Sequence, residues 1–113
     1  MTINEYQKAA MRTASGVCNA TPKNLLLNGV MGLNGEAGEC IDMVKKHLFQ
    51  GHDLDKDKLV KELGDVCWYL AISAEALGVT LEEVMQGNID KLLKRYPDGF
   101  DPEKSVHRKP GDV

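Results

Sequence analysis

Apolar positions recur at helical spacing along most of the chain, and nowhere do they alternate every second residue as a half-buried strand requires. Ile3, Tyr6, Ala10 and Ala14 form one stripe and predict a first helix from Ile3 to about Ala14. Gly16 to Ala20 reads as a loop. Thr21-Pro22 then opens a second helix: the threonine can cap the first turn, and proline loses nothing at a position whose N–H has no helical partner. The buried stripe expected for this helix is Leu26, Val30, Leu33, Ala37, Cys40, Val44 and Leu48. It runs to about Gln50, where Gly51 can end it.

Asp53, Asp55 or Asp57 can cap a third helix that reaches about Leu77 and stops at Gly78. Its main stripe is Leu59, Leu63, Val66, Leu70 and Leu77, and a second patch, Trp68, Ile72 and Ala76 with Tyr69 alongside, lies opposite. A helix apolar on two faces has to be covered twice. In so short a chain the second cover is expected from another subunit. The fourth helix starts at Thr80-Leu81-Glu82-Glu83, a capping box with Val79 and Val84 placed as a hydrophobic staple. It ends near Tyr96, because Pro97 and Gly99 cannot continue it. The expectation is an all-α, four-helix protomer over residues 1–100, a bundle completed by homo-oligomerisation. Residues 101–113 are expected to be a polar, frayed C-terminal tail.

A length of 113 residues suits one domain with a modest core. The formal charge of -3 argues against a general nucleic-acid binder, so any phosphate-bearing ligand must be held by local cations or by metal. Met1 to Glu5 lacks the basic-then-apolar pattern of a signal peptide, and the longest apolar run, Val66 to Ala74, is too short to span a bilayer. Cys18, Cys40 and Cys67 show no metal-type spacing, and two of them fall on apolar helical faces. A reduced, cytoplasmic protein without membrane or nucleic-acid partners is the plain expectation.

The candidate chemistry lies in two acidic pairs. Glu36 borders the stripe of the second helix with Glu39 one turn on, and Glu62 borders that of the third with Asp65 one turn on. Like charges three residues apart repel, and partial burial raises the cost. A divalent cation removes both penalties, and magnesium takes a few carboxylate oxygens while leaving room for water and phosphate. One such pair is ordinarily a solvated helix face; two, on adjacent helices and beside apolar stripes, weigh equally for metal and for solvent. Spacing carries no further.

Gly29, Gly32, Gly35 and Gly38 recur every third residue beside these acids. Close helix packing and close approach of a ligand both account for them. Asn88, Lys91 and Arg95 line one side of the fourth helix and can clamp phosphate if metal holds a polyphosphate; in isolation they are ordinary surface residues. Lys46, on the flank of Glu39, is a further candidate, with a simple pair to Asp42 the stronger reading. Asp53 to Asp57 imitates an EF-hand start but has Lys58 and Gly64 where that loop needs glycine and glutamate. His47, His52 and His107 lack zinc-type spacing, and His47 is expected on the buried side of its helix.

Gly35-Glu36-Ala37-Gly38-Glu39, then Lys61-Glu62-Leu63-Gly64-Asp65-Val66 with Trp68-Tyr69-Leu70, then Lys91-Leu92-Leu93-Lys94-Arg95-Tyr96-Pro97 resemble the MazG-type nucleotide pyrophosphohydrolases of the all-α NTP pyrophosphatase superfamily. The likeness covers roughly Asn24 to Phe100, and the order and spacing of the three pieces make it specific. It implies a helical homodimer or homotetramer with sites at helix interfaces. It further implies Mg²⁺, with Mn²⁺ as a substitute, on Glu36, Glu39, Glu62 and Asp65. The implied reaction is Mg-dependent hydrolysis of a nucleoside triphosphate to monophosphate and pyrophosphate, with house-cleaning of non-canonical nucleotides as one role. Glu36 or Glu39 would handle the water, and Lys91 and Arg95 match the basic positions closing the last helix. Insertions of the dimeric dUTPases are absent, so uridine specificity is not implied. Tyr96 or Trp68 could stack on a base, though core or subunit packing is the stronger reading for Trp68. A nucleotide-binding or sensing module without turnover, and a purely structural helical interaction module, are the competing classes.

Overall fold

The computed structural model describes residues 1–16 and 19–113; Val17 and Cys18, within the stretch read as a loop, lie outside the described residues. Five helices are present among them, and no strand: α1 Ile3–Met11, α2 Pro22–Phe49, α3 Lys56–Ala76, α4 Leu81–Arg95 and α5 Pro102–Val106. Local chemistry sets most of their ends. Thr2 accepts from the Glu5 N–H at 3.1 Å while Glu5 accepts from the Thr2 N–H at 2.6 Å, a closed capping box. Thr21 caps α2 with Pro22 at its first position, and Asp55 caps α3 by accepting from the Lys58 N–H at 2.9 Å. Gly51 and Gly78 follow α2 and α3 with φ of 73° each, the left-handed conformation that ends a helix most cheaply in glycine.

The chain forms two compact units, Met1–Leu81 and Glu82–Val113. In the first, α2 and α3 run along each other and α1 lies on α3. Gly29 and Gly32 permit the close approach: a methyl group at 29 would fall on the Ser73 hydroxyl, and one at 32 on the Tyr69 ring. Gly35 and Gly38 face open space. The two accounts of the glycine series therefore divide along the helix, packing at its first half and openness at its second.

α1 is shorter than its stripe predicts. The Ala10 carbonyl, which a continuing helix would offer to Ala14, instead accepts from the Thr13 N–H at 3.1 Å, the Thr13 hydroxyl at 3.0 Å and the Trp68 indole at 3.1 Å. Ala14 turns to Met11 O, a tighter turn that still buries its methyl group.

On α3 the second patch is covered within the protomer and the main stripe only in part: Leu70 packs on the core, and Leu59 and Val66 are half-buried. Ile72 is wholly buried with Ala14 and Leu25, and Trp68, Tyr69 and Ala76 pack around them. Trp68 also donates to Thr13 Oγ1 at 2.8 Å. The patch assigned to a second subunit is thus the core of the protomer, whereas Leu63 and Leu77 of the main stripe are 51% and 62% exposed. On α2, Val30, Ala37 and Leu48 are exposed where burial was expected. The reason is shape: small residues at 10, 14 and 32 leave hollows that the bulky side chains of α3 fill, and hydrophobic periodicity does not register hollows.

Gln7 is a core residue that the stripe omitted. It is 5% exposed, donates to Glu75 Oε2 at 3.0 Å and Val79 O at 3.2 Å, and accepts from the Leu81 N–H at 2.6 Å. Every polar atom of its amide oxygen and nitrogen has a partner, which makes its burial tolerable.

In the second unit the expected frayed tail contains α5. Asp101 accepts from the Glu103 N–H at 3.0 Å and Pro102 sits at the first helical position, the same acid- or hydroxyl-then-proline signal that opens α2.

Candidate functional site

Beyond the glycines, the seam between α2 and α3 turns acidic. Glu36 lies one turn after Gly32 on the same side of α2, and there it meets Glu62 and Asp65 of α3. One carboxylate oxygen from each of these residues lies within 4.8 Å of the others. Glu36 and Glu62 are half-buried and Asp65 is exposed. Among the described residues, no ion pair reaches any of the four candidate acids.

The electrostatic consequence falls on Glu36. Its pKa is raised above the usual glutamate value of 4.5, first by desolvation and then by the negative charges of Glu39, Asp65 and Glu62. When protonated it can donate to Glu62, which favours the neutral form further. Three hard oxygen donors, crowded and without a neutralising cation, fit a small divalent ion.

Glu39 stands outside that trio. It is exposed and lines an adjoining depression with Gly35, Gly38, Asp42, Met43, Lys58 and Glu62. Lys46 is 2.7 Å from Asp42, which also takes Lys45 at 3.1 Å, and these cations hold the Asp42 carboxyl below its usual range. His47 is exposed, not buried: its Nδ1 lies 2.8 Å from His52 O, so it closes the end of α2 instead of entering the core. Cys40 is partly buried and Cys67 exposed.

Two neighbours were not singled out from sequence. Lys58 of α3 shares the Glu39 depression; in the sequence it stood out only as the residue where an EF-hand loop needs glycine. The Tyr6 phenol, its pKa raised by burial and then by Cys67 and Asp65, lies within electrostatic reach of the acids. Only the docking of α1 on α3 puts it there.

The remaining candidates belong to the second unit. Asn88, Lys91 and Arg95 follow one side of α4, with Asn88 and Lys91 exposed. Arg95 is gripped by Asp112, Nε donating at 2.8 Å and Nη2 at 2.6 Å. Its guanidinium also lies 5.7 Å from the centre of the Tyr96 ring, which packs on Phe100. Lys91 and Arg95 line a cavity of about 530 Å³ formed with the C-terminal segment.

The model of the MazG nucleotide pyrophosphohydrolase domain matches residues 26–100, a span that contains the acidic trio, Glu39 and the basic end of α4. The chain belongs to the MazG family of nucleotide pyrophosphohydrolases. Gene 37 protein of Mycobacterium phage L5 is 40% identical over 107 residues, covering 88% of this chain and 92% of the phage protein. A shorter likeness, 46% over 41 residues, relates it to the "Uncharacterized protein YvdC" of Bacillus subtilis (strain 168), covering 36% of this chain and 39% of that one. No solved structure matches. The all-helical fold agrees with the MazG assignment, and among the described residues no helix is long and apolar enough to cross a membrane.

Proposed function

We propose that the protein is a Mg²⁺-dependent pyrophosphohydrolase of nucleoside triphosphates, with Mn²⁺ able to substitute. The observation that carries this reading is the convergence of Glu36, Glu62 and Asp65 within a chain of the MazG family. These three carboxylates would hold the ion, which when bound would neutralise phosphate oxygens and lower the pKa of a water. Glu39, one turn from Glu36 and exposed beside open backbone at Gly35 and Gly38, orients that water and accepts its proton. The water oxygen bonds to the α-phosphorus, the bond to the bridging oxygen breaks, and pyrophosphate leaves. Asn88, Lys91 and Arg95 of α4, with Lys46 as a further cation, are assigned to the substrate's phosphate charge.

A second copy of the chain is part of this reading. Leu27, Val30, Met31, Ile41 and Leu48 are exposed on the side of α2 opposite Gly29, Gly32 and Glu36. An apolar row of that length is best covered by another protomer. A monomeric mass by light scattering at micromolar concentration would remove this element.

The activity is tested by measuring pyrophosphate release from canonical and damaged nucleoside triphosphates with Mg²⁺. Release that disappears with chelator and in Asp65→Asn supports the enzyme. A folded protein that releases none from the whole panel overturns it, and tight nucleotide binding without product would indicate a sensing module instead.

A further inference from the structure

The cavity of the second unit is walled by Lys91, Lys94, Arg95, Lys104, His107 and Lys109, and the acidic side chain facing them is Asp112. Asp112 is presented by a tight turn: its N–H donates to Lys109 O at 3.0 Å, Pro110 holds the first corner, and Gly111 takes the second with φ of 82°. Proline and glycine at these corners pre-set the turn, so the carboxylate is aimed at Arg95 with little loss of freedom. The pair is bidentate and sheltered, the Arg95 side chain 8% and that of Asp112 19% exposed.

A carboxylate bridging the guanidinium in this way occupies the same two donors that a pair of phosphate oxygens would take. The surrounding charge exceeds what one carboxylate needs. Four lysines line the same cavity as Arg95, more positive charge than Asp112 and the Val113 oxygen, which also accepts from Arg95 Nη2 at 3.4 Å, take up, so a polyanion entering it would meet several cations at once. Lys91 and Arg108 add to Arg95 in holding the Asp112 carboxyl below its usual range, so the cavity's preference for anionic oxygen is already expressed on its own chain.

We propose that this cavity is an oligophosphate site and that Asp112 is a tethered competitor for it, displaced from Arg95 when the ligand binds. The inference rests on the assignment of Lys91 and Arg95 to phosphate, not on hydrolysis. It adds Lys94, Lys104 and Lys109 as ligands and gives the site a built-in threshold: apparent affinity is reduced by the fraction of molecules whose Arg95 is occupied by Asp112.

The test is calorimetric titration of inorganic tripolyphosphate into the full chain with chelator present, which silences any metal bound by the acids. Asp112→Asn is expected to bind on the order of three- to tenfold more tightly than the parent, and Arg95→Gln to abolish the gain in the double variant. Equal or weaker binding by Asp112→Asn in a protein that keeps the α5 amide signals overturns the proposal and makes the pair a structural staple. The parent chain gives a second readout free of mutational damage. Saturation with tripolyphosphate should move the Asp112 carboxyl ¹³C resonance, and an unmoved resonance while the lysine signals shift also overturns it. Displacement without pyrophosphate release from any nucleotide would count against the enzyme reading alone; release without displacement would count against this proposal alone.

Discussion

Gly32 of α2 lies against the ring of Tyr69 of α3, in space that a single methyl group at position 32 would have to share with the ring carbons. Gly32→Ala should therefore destabilise the protein by about 1–3 kcal/mol, because overpacking outweighs the better helix propensity of alanine. Gly35→Ala, which meets open space, should raise stability by up to roughly 1 kcal/mol. Urea denaturation of the two variants checks the pair, and equal signs would contradict the packing described for this seam.

Gln7 supplies the partner of the buried Leu81 N–H. Replacing it with leucine keeps the volume and removes the acceptor, at an expected cost of about 1–3 kcal/mol for the unpaired group. Thermal unfolding measures the loss, and hydrogen exchange should show it concentrated at the turn from α3 into α4.

The crowding of Glu36 has a pH signature. A carboxyl with a folded pKa above its unfolded value binds more protons in the folded state within that window, so stability falls as pH rises through it. Without divalent ion, the protein should be most stable below the usual glutamate value of 4.5 as far as Glu36 is concerned, and lose that contribution as pH rises through the raised value. Glu36→Gln should flatten this difference in melting temperature. Asp112 has the opposite sign: its pKa is lowered, so its pairing with Arg95 holds above the usual aspartate value of 3.8 and is lost as pH falls through the lower folded value.

Glu62→Gln and Asp65→Asn each remove one oxygen donor from the trio. Both variants should fold, since a negative charge leaves a crowded site, yet each should lose most of the thermal stabilisation that Mg²⁺ is expected to give the parent. Pyrophosphate release should fall by about a hundredfold or more. Retention of both responses in both variants would place the metal elsewhere.

Features governed by neighbours in the chain were legible beforehand. Thr21-Pro22, Asp55, Gly51 and Gly78 mark helix ends through hydrogen bonds and dihedral preferences that need no tertiary partner. The acids were legible as pairs on two helices, because spacing fixes which side chains share a flank. Their meeting required the seam, and it joined Glu36, Glu62 and Asp65 while leaving Glu39 on the adjoining depression. Periodicity ranked the leucine row of α3 above the Trp68 face because it counts hydrophobicity, while packing follows the hollows offered by Ala10, Ala14 and Gly32. Gln7 reads as polar in any window, and its burial follows from unsatisfied backbone at a turn more than seventy residues away. The Asp101-Pro102 start of α5 and the Pro110-Gly111 turn used signals as local as Thr21-Pro22, but stood in a segment whose polar composition masked them.

Trp68 is the chain's single tryptophan, and its indole N–H is bonded to Ala10 and Thr13 at the end of α1. Its fluorescence is consequently a label-free optical gauge of one contact, the seating of α1 on α3. Asp65 lies one turn away on the same helix, so the same emission band can register ion arrival and α1 release in a single titration.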